Sequence, residues 1–419
     1  MEKSRKSWKV WGKAFLKRVA LLSAGQGLAQ LLPMLSTPFV ARLYSPEELG
    51  ELALYISASN VITQLMALKY DYAITVSGSR KKAQRLLVLS LGVSLLFSLL
   101  LAALFPLYPL VLERVGGYVW LYFLPLGGLL TMAQLSSVNY GVQQEEYARV
   151  SGAAAVRSIA YCFLQIVLYP LGAGGLILAR FGGDLCAGVV LWKGRALERP
   201  KLEELTQTAR EFRNYPCYMV PGAVAGALSG NLQSFFLSAC YSAGQTGGYS
   251  LVNRILSAPV SILSGAVGQV FLRQSMEEVK ISGRVRSAAG MTVMLTLVSL
   301  CIFGGVWVFA PLLTAVFLGT GWQEAVTFMR IQALLFGVRF VAVPITLVVP
   351  ALGRQKMTML WQFAMLALCL IPPLVVWRTS LTVQMYLLLN AVMLSAGYLA
   401  FLAYCLWLCE KGRLDTYEG

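Results

Sequence analysis

The chain has 419 residues, of which 57% are hydrophobic and 13% charged, and its mean hydropathy is +0.66. A soluble domain carries roughly 25% charged residues, so a single water-soluble core does not account for this composition. Histidine is absent, which excludes His-based triads, His zinc sites and His proton relays. The net charge of +16 would suit nucleic acid, but its placement assigns it to membrane topology.

A membrane-crossing helix needs about 20 mostly apolar residues. Twelve stretches qualify, at about 19–42, 48–68, 83–106, 117–139, 150–171, 173–193, 216–240, 247–271, 288–312, 324–350, 357–377 and 382–408. An all-α polytopic membrane protein is therefore expected. The basic N-terminus leads into a span too long and too polar for a signal-peptide core, with no small-residue cleavage site after it, so a cleavable signal is not expected. Loops on the N-terminal side hold 26 Lys and Arg, against Arg42, Arg114 and Arg378 alone on the other side. That asymmetry predicts both termini in the cytoplasm, with anionic membrane lipids as partners and no nucleic acid. The eight cysteines all fall in or at the ends of spans. They read as small apolar fillers; neither a disulfide framework nor a metal or cofactor site is expected.

The longest loop, 194–215, is charged and divides the chain. The expected organisation is a basic cytoplasmic N-terminus (1–18), an N-lobe of six helices (19–193), a cytoplasmic linker (194–215), a C-lobe of six helices (216–409) and a cytoplasmic tail (410–419). A weak repeat supports the cut. Tyr44-Ser45-Pro46-Glu47-Glu48-Leu49-Gly50 recurs as Tyr241-Ser242-Ala243-Gly244-Gln245-Thr246-Gly247, each copy at the turn between the first two helices of its lobe. An even number of spans per lobe makes the repeats parallel, and transporters carry substrate at such repeat interfaces. A central cavity between the lobes is expected.

Charges inside spans are costly and face a cavity or one another. Lys69, Arg157, Arg180, Arg254, Arg330 and Arg339 lie in or near spans, against chiefly Asp71 and Asp184. A cavity lined by this excess of cations prefers an anionic substrate. Arg180 and Asp184 are four apart on one helix and can neutralise each other, while Lys69 and Arg330 lie near span ends and can snorkel. Arg157, Arg254 and Arg339 remain as the deepest cations without an acid on their own helix. Polar stripes at helical spacing mark four helices: Gln26, Gln30, Pro33 and Thr37 in the first; Ser57, Asn60, Gln64 and nearly Asp71 in the second; Asn231, Ser234 and Ser238 in the seventh; Arg254, Ser257, Ser261 and Gly265 in the eighth. Gln332, Arg339 and Thr346 share a face of the tenth. Such stripes also serve as helix-to-helix glue. Together they predict a hydrated cavity, with Arg157, Arg254, Arg339, Arg180, Gln30, Asn60, Gln64 and Asn231 as substrate-binding residues and Asp71 as the ion-coupling candidate.

Gly25-Gln26, Pro38, Arg42 through Gly50 and Lys69-Tyr70-Asp71-Tyr72-Ala73-Ile74, with Asn253-Arg254-Ile255-Leu256, Pro259, Gly265 and Gln269-Val270-Phe271 in the second half, resemble Wzx-type polysaccharide flippases. These are lipid-linked oligosaccharide exporters of the multidrug/oligosaccharidyl-lipid/polysaccharide superfamily. Lys69-Tyr70-Asp71 stands where an Arg-Tyr-Glu triplet is more usual, with charge signs kept. The resemblance implies a non-enzymatic flippase. It would turn undecaprenyl-pyrophosphate-linked oligosaccharide, of the O-antigen or capsule kind, from the cytoplasmic to the periplasmic leaflet of a bacterial inner membrane. Polysaccharide polymerase and chain-length machinery would be further partners. No Walker A sequence occurs, so ATP use by this chain is not expected. The alternatives are a drug exporter of the same superfamily, which would want an acidic cavity, and a membrane-embedded glycan polymerase or ligase, which would want a sizeable outside loop.

Overall fold

The computed structural model describes residues 27, 29–108, 119–195, 200–282, 284–285, 287–319, 321–351, 355–379 and 381–411. The basic stretch 1–18, the start of the first span, the loop around Arg114 and the tail from 412 lie outside the described residues. Among the described residues there is no strand. The α-helices in chain order are α1 (29–43), α2 (Pro46–Met66), α3 (Tyr70–Thr75), α4 (Arg80–Ala103), α5 (Leu124–Gln143), α6 (Tyr147–Val167), α7 (Gly172–Trp192), α8 (Leu202–Glu211), α9 (Val220–Cys240), α10 (Ala243–Ser282), α11 (Ser287–Val308), α12 (Ala310–Phe317), α13 (Gln323–Thr346), α14 (Val348–Ala351), α15 (Gln355–Thr379) and α16 (Val383–Lys411).

Eight of these, α4, α5, α6, α7, α11, α13, α15 and α16, are by themselves long and apolar enough to cross a membrane. None of the four striped helices, α1, α2, α9 and α10, is among the eight; in α2 and α9, Asn60 and Gln64, and Asn231 and Gln233, dilute the apolar content. With α1, α2, α9 and α10 added, the chain is an all-α polytopic membrane protein of about twelve crossing helices, as its hydropathy predicts.

Two expectations are corrected. Asp71 does not continue the stripe of the second span, because Leu68 and Lys69 adopt left-handed backbone (φ 47° and 61°) and break the chain between α2 and α3. Non-glycine residues avoid that region unless their surroundings enforce it. The linker 194–215, expected as a loop, contains α8. Tyr70 donates from its hydroxyl to the Ala209 carbonyl at 3.4 Å, and Lys82 and Arg85 of α4 pair with Glu211 and Glu204. Ala209 and Phe212 pack against the cluster of Tyr70, Ile74, Leu86 and Tyr140. The helix forms because one of its faces has a core to cover.

The chain divides into two compact units, Met1–Ser36 with Ala58–Pro221, and Thr37–Ser57 with Gly222–Gly419. In the first, α4 packs on α3 and α5, α5 on α7, and α6 and α7 form a close hairpin. A Cβ on Gly182 would stand 2.2 Å from Leu164, and one on Gly183 would stand 3.0 Å from the Arg157 carbonyl. Small residues at helix contacts permit such backbone approach within a membrane. In the second unit α13 packs against α10, α11 and α16, and α15 against α16.

The two copies of the repeated turn meet inside the second unit. Each serine caps its helix: Ser45 Oγ accepts from Glu48 N at 3.2 Å while Glu48 accepts from Ser45 N at 2.8 Å, and Ser242 Oγ accepts from Gln245 N at 3.1 Å. A Cβ on Gly50 would lie 2.0 Å from the Ala243 carbonyl oxygen, and one on Gly247 would lie 2.1 Å from that of Pro46. The contact is reciprocal, since Gly50 and Gly247, and Pro46 and Ala243, are equivalent repeat positions. Trp322 donates to the Ala41 carbonyl at 3.3 Å beside it.

Candidate functional site

In the first unit the close α6–α7 approach decides which charges pair. Arg157 Nε donates to Asp184 Oδ1 at 2.6 Å, and Thr131 donates to Asp184 Oδ2 at 2.9 Å. The Asp184 side chain is 0% exposed and that of Arg157 34%. The same-helix pair of Arg180 with Asp184 is therefore replaced by an interhelical one, and Arg157 is not unpaired. The i, i+4 order places the cation N-terminal to the acid, the weaker orientation on a helix, and the glycines open a better partner. Arg180 makes no ion pair among the described residues, and its Nε is buried without a hydrogen-bond partner. Because Asp184 engages only Nε, it orients the Arg157 guanidinium while leaving the terminal nitrogens to donate elsewhere.

The second unit holds Arg254 on α10 and Arg339 on the adjacent α13. The Arg339 guanidinium lies over the rings of Phe336 (5.2 Å) and Tyr398 (5.8 Å), and its Nε has no hydrogen-bond partner. Aromatic faces hold a cation in place without neutralising it. Arg254 is half-buried and already engages a neighbouring group. On the stripe predicted with Arg339, Gln332 is fully buried with both amide atoms unpartnered, and Thr346 is satisfied within its helix by the Val343 carbonyl at 2.9 Å.

The remaining predicted residues are mostly occupied locally. Gln64 donates to the Asn60 carbonyl at 3.1 Å and accepts from Lys69 Nζ at 2.5 Å. Asn231 donates to the Ala227 carbonyl at 2.8 Å. Gln30 is exposed. Asp71 is buried with one carboxyl oxygen lacking a hydrogen bond. Burial pushes its pKa up from the ordinary carboxylate value, against the opposing charge of Lys69 and the backbone of Tyr72. Sequence reasoning missed an amide network in the second unit: Gln233 donates to Asn390 Oδ1 at 3.0 Å and lies 3.7 Å from Cys369 Sγ. Asn390, an amide within an apolar span, was the signal available for it.

Residues 39–327, more than half of the chain, match the family described as polysaccharide biosynthesis protein. No curated protein matches. Solved structures similar to this chain include an outward-facing multidrug resistance MATE family transporter of the MOP superfamily (13% identity, TM-score 0.67, covering 96% of each chain). Another is a MOP superfamily transporter from Pyrococcus furiosus described as having a binding pocket of reversed polarity (12% identity, TM-score 0.63, 94% of each chain). The lipid II flippase MurJ, in an inward closed conformation, is similar too (11% identity, TM-score 0.73, 92% of this chain and 87% of that one). At these identities the likeness shows the fold, that of the MOP transporters. The extent of the family match carries further: this chain belongs to the polysaccharide biosynthesis protein family.

Proposed function

We propose that the protein is a flippase that moves undecaprenyl-pyrophosphate-linked oligosaccharide from the cytoplasmic to the periplasmic leaflet of a bacterial inner membrane by alternating access. The observation that carries the reading is the excess of cations over acids within apolar helices, where Asp184 is fully buried and pairs with Arg157. Arg157, Arg180, Arg254 and Arg339 are the proposed pyrophosphate ligands, Arg157 being oriented by Asp184. Arginine suits pyrophosphate because its planar fork donates two parallel hydrogen bonds. Asn60, Gln64, Asn231 and Gln30 are the proposed sugar-facing groups. A cationic drug would be repelled by the same arrangement.

Direction has a physical source. Moving one charge across 100 mV is worth about 2.3 kcal/mol, so a headgroup with two negative charges leaving an inside-negative cell gains about 4–5 kcal/mol per 100 mV. Asp71 is the proposed site of any ion coupling; Asp71→Asn should abolish dependence on an ion gradient, and unchanged dependence excludes that role. The test of the function is the lipid-linked intermediates of cells lacking the protein. Finished oligosaccharide units should be stranded on the cytoplasmic side. Their normal appearance at the periplasmic face contradicts the proposal.

A further inference from the structure

In the second unit, α11, α13 and α16 leave a groove of about 500 Å³ whose rim carries the exposed side chains of Leu300, Leu334, Leu388 and Leu399. It runs from Trp307 to Thr296 along α11 and from Arg330 to Val341 along α13, with Leu388 and Leu402 of α16 on its third side. Eleven residues of helix rise about 16 Å, close to half of the roughly 30 Å hydrocarbon core, so the groove is one leaflet deep. Its polar atoms are spent: Ser299 Oγ donates to the Gly337 carbonyl and Thr296 Oγ1 to that of Thr292, both at 2.8 Å. What remains along its length is apolar.

One end is different. Arg330 lies two turns from the start of α13, Trp307 is the penultimate residue of α11, and by the loop charges both lie on the side opposite the basic loops. The Arg330 guanidinium sits 5.3 Å over the Trp307 ring, and its Nε donates to the Trp307 carbonyl at 3.4 Å. Among the described residues no carboxylate pairs with it. A cation and a tryptophan at the headgroup level, above an apolar slot one leaflet deep, complement an anionic lipid.

We propose that this groove seats one acyl chain of an anionic phospholipid from the leaflet opposite the basic loops, with the lipid phosphate on Arg330. The site is separate from the proposed headgroup ligands and does not rest on the transport reading. A polyprenyl chain fits less well, because its length far exceeds one leaflet.

The experiment is native mass spectrometry of the delipidated full chain in detergent, titrated with phosphatidylglycerol or with phosphatidylcholine of the same acyl chains. Phosphatidylglycerol should bind at least tenfold more tightly. Arg330→Gln should erase that preference and Arg330→Lys should keep most of it. Gly304→Leu projects into open space in the groove, since no atom lies within 4 Å of a Cβ there; it should weaken both lipids at least tenfold. In addition, brominated phosphatidylglycerol should quench the Trp307 contribution to the fluorescence of the wild-type protein, taken as the difference from a folded Trp307→Phe. Equal binding of the two lipids, a preference kept by Arg330→Gln, full binding to a folded Gly304→Leu, or an unquenched Trp307 overturns the proposal. Displacement of phosphatidylglycerol by an equal or lower concentration of undecaprenyl phosphate overturns it too, by making the site a substrate-tail groove.

Discussion

Asp184 is the residue on which the electrostatics of the first unit turn. It is fully buried, it holds Arg157 at 2.6 Å, and it accepts from Thr131 as well. Asp184→Asn keeps the Thr131 hydrogen bond but leaves Arg157 without a counter-charge. Because Arg157 is about a third exposed, the loss falls between those of an exposed and a buried pair, about 2 kcal/mol; a lowered unfolding temperature of the purified protein would register it. Asp71 gives a pH prediction of definite sign. Its pKa is raised by burial, so its contribution to stability is fully present below the ordinary carboxylate pKa and is lost as pH rises through the elevated value. Asp71→Asn should flatten that decline. Stability curves of wild type and variant that run parallel from pH 4 to 8 would show that Asp71 is not titrating in this way.

At the scale of elements, the repeated turn is where sequence and structure meet most directly. A seven-residue turn at the same place in each half, identical at Tyr44, Ser45 and Gly50 with Tyr241, Ser242 and Gly247, becomes two capped helix starts that lock glycine against carbonyl. A Cβ on Gly244 would lie 3.4 Å from that of Pro46, just under the disulfide range of about 3.5–4.5 Å, so a slight outward shift suffices. Pro46→Cys with Gly244→Cys, in a background without the native cysteines, should cross-link on mild oxidation. On the alternating-access proposal the link arrests transport and reductant restores it; full transport by the cross-linked protein would show that the contact does not open. The spans, the repeat and the cations were legible because hydropathy, period and charge are local properties of a chain. The partner of Asp184 was not, since spacing reports which residues share a helix face and not which helix that face meets. Nor was α8: its apolar residues are few, and it is a helix because Tyr70, Ile74 and Leu86, more than a hundred positions earlier, supply the surface it covers. The break at Leu68 and Lys69 escaped for a similar reason, because neither residue type announces a left-handed backbone.

For the whole molecule, the 26 basic residues on one side against three on the other fix an expected orientation. Reporter fusions should place Pro46, Arg114, Gly172, Gln245, Gly321 and Ser380 outside and residues 194–215 inside; a cytoplasmic result at any two of the outside positions would overturn the twelve-span topology. The central claim is that cations on apolar helices carry an anionic lipid-linked headgroup. Its most direct test is export of lipid-linked oligosaccharide per inserted molecule for Arg157→Ala, Arg254→Ala and Arg339→Ala, each beside its Lys counterpart. Loss of one charge-assisted contact costs about 1.5–3 kcal/mol, roughly ten- to a hundredfold in affinity. The account predicts that Arg254→Ala and Arg339→Ala insert at normal abundance, that Arg157→Ala is less abundant because buried Asp184 loses its counter-charge, and that all three nearly stop exporting per inserted molecule, with partial rescue by Lys, which restores charge without the two-pronged geometry; normal export per inserted molecule in all three Ala variants would contradict it.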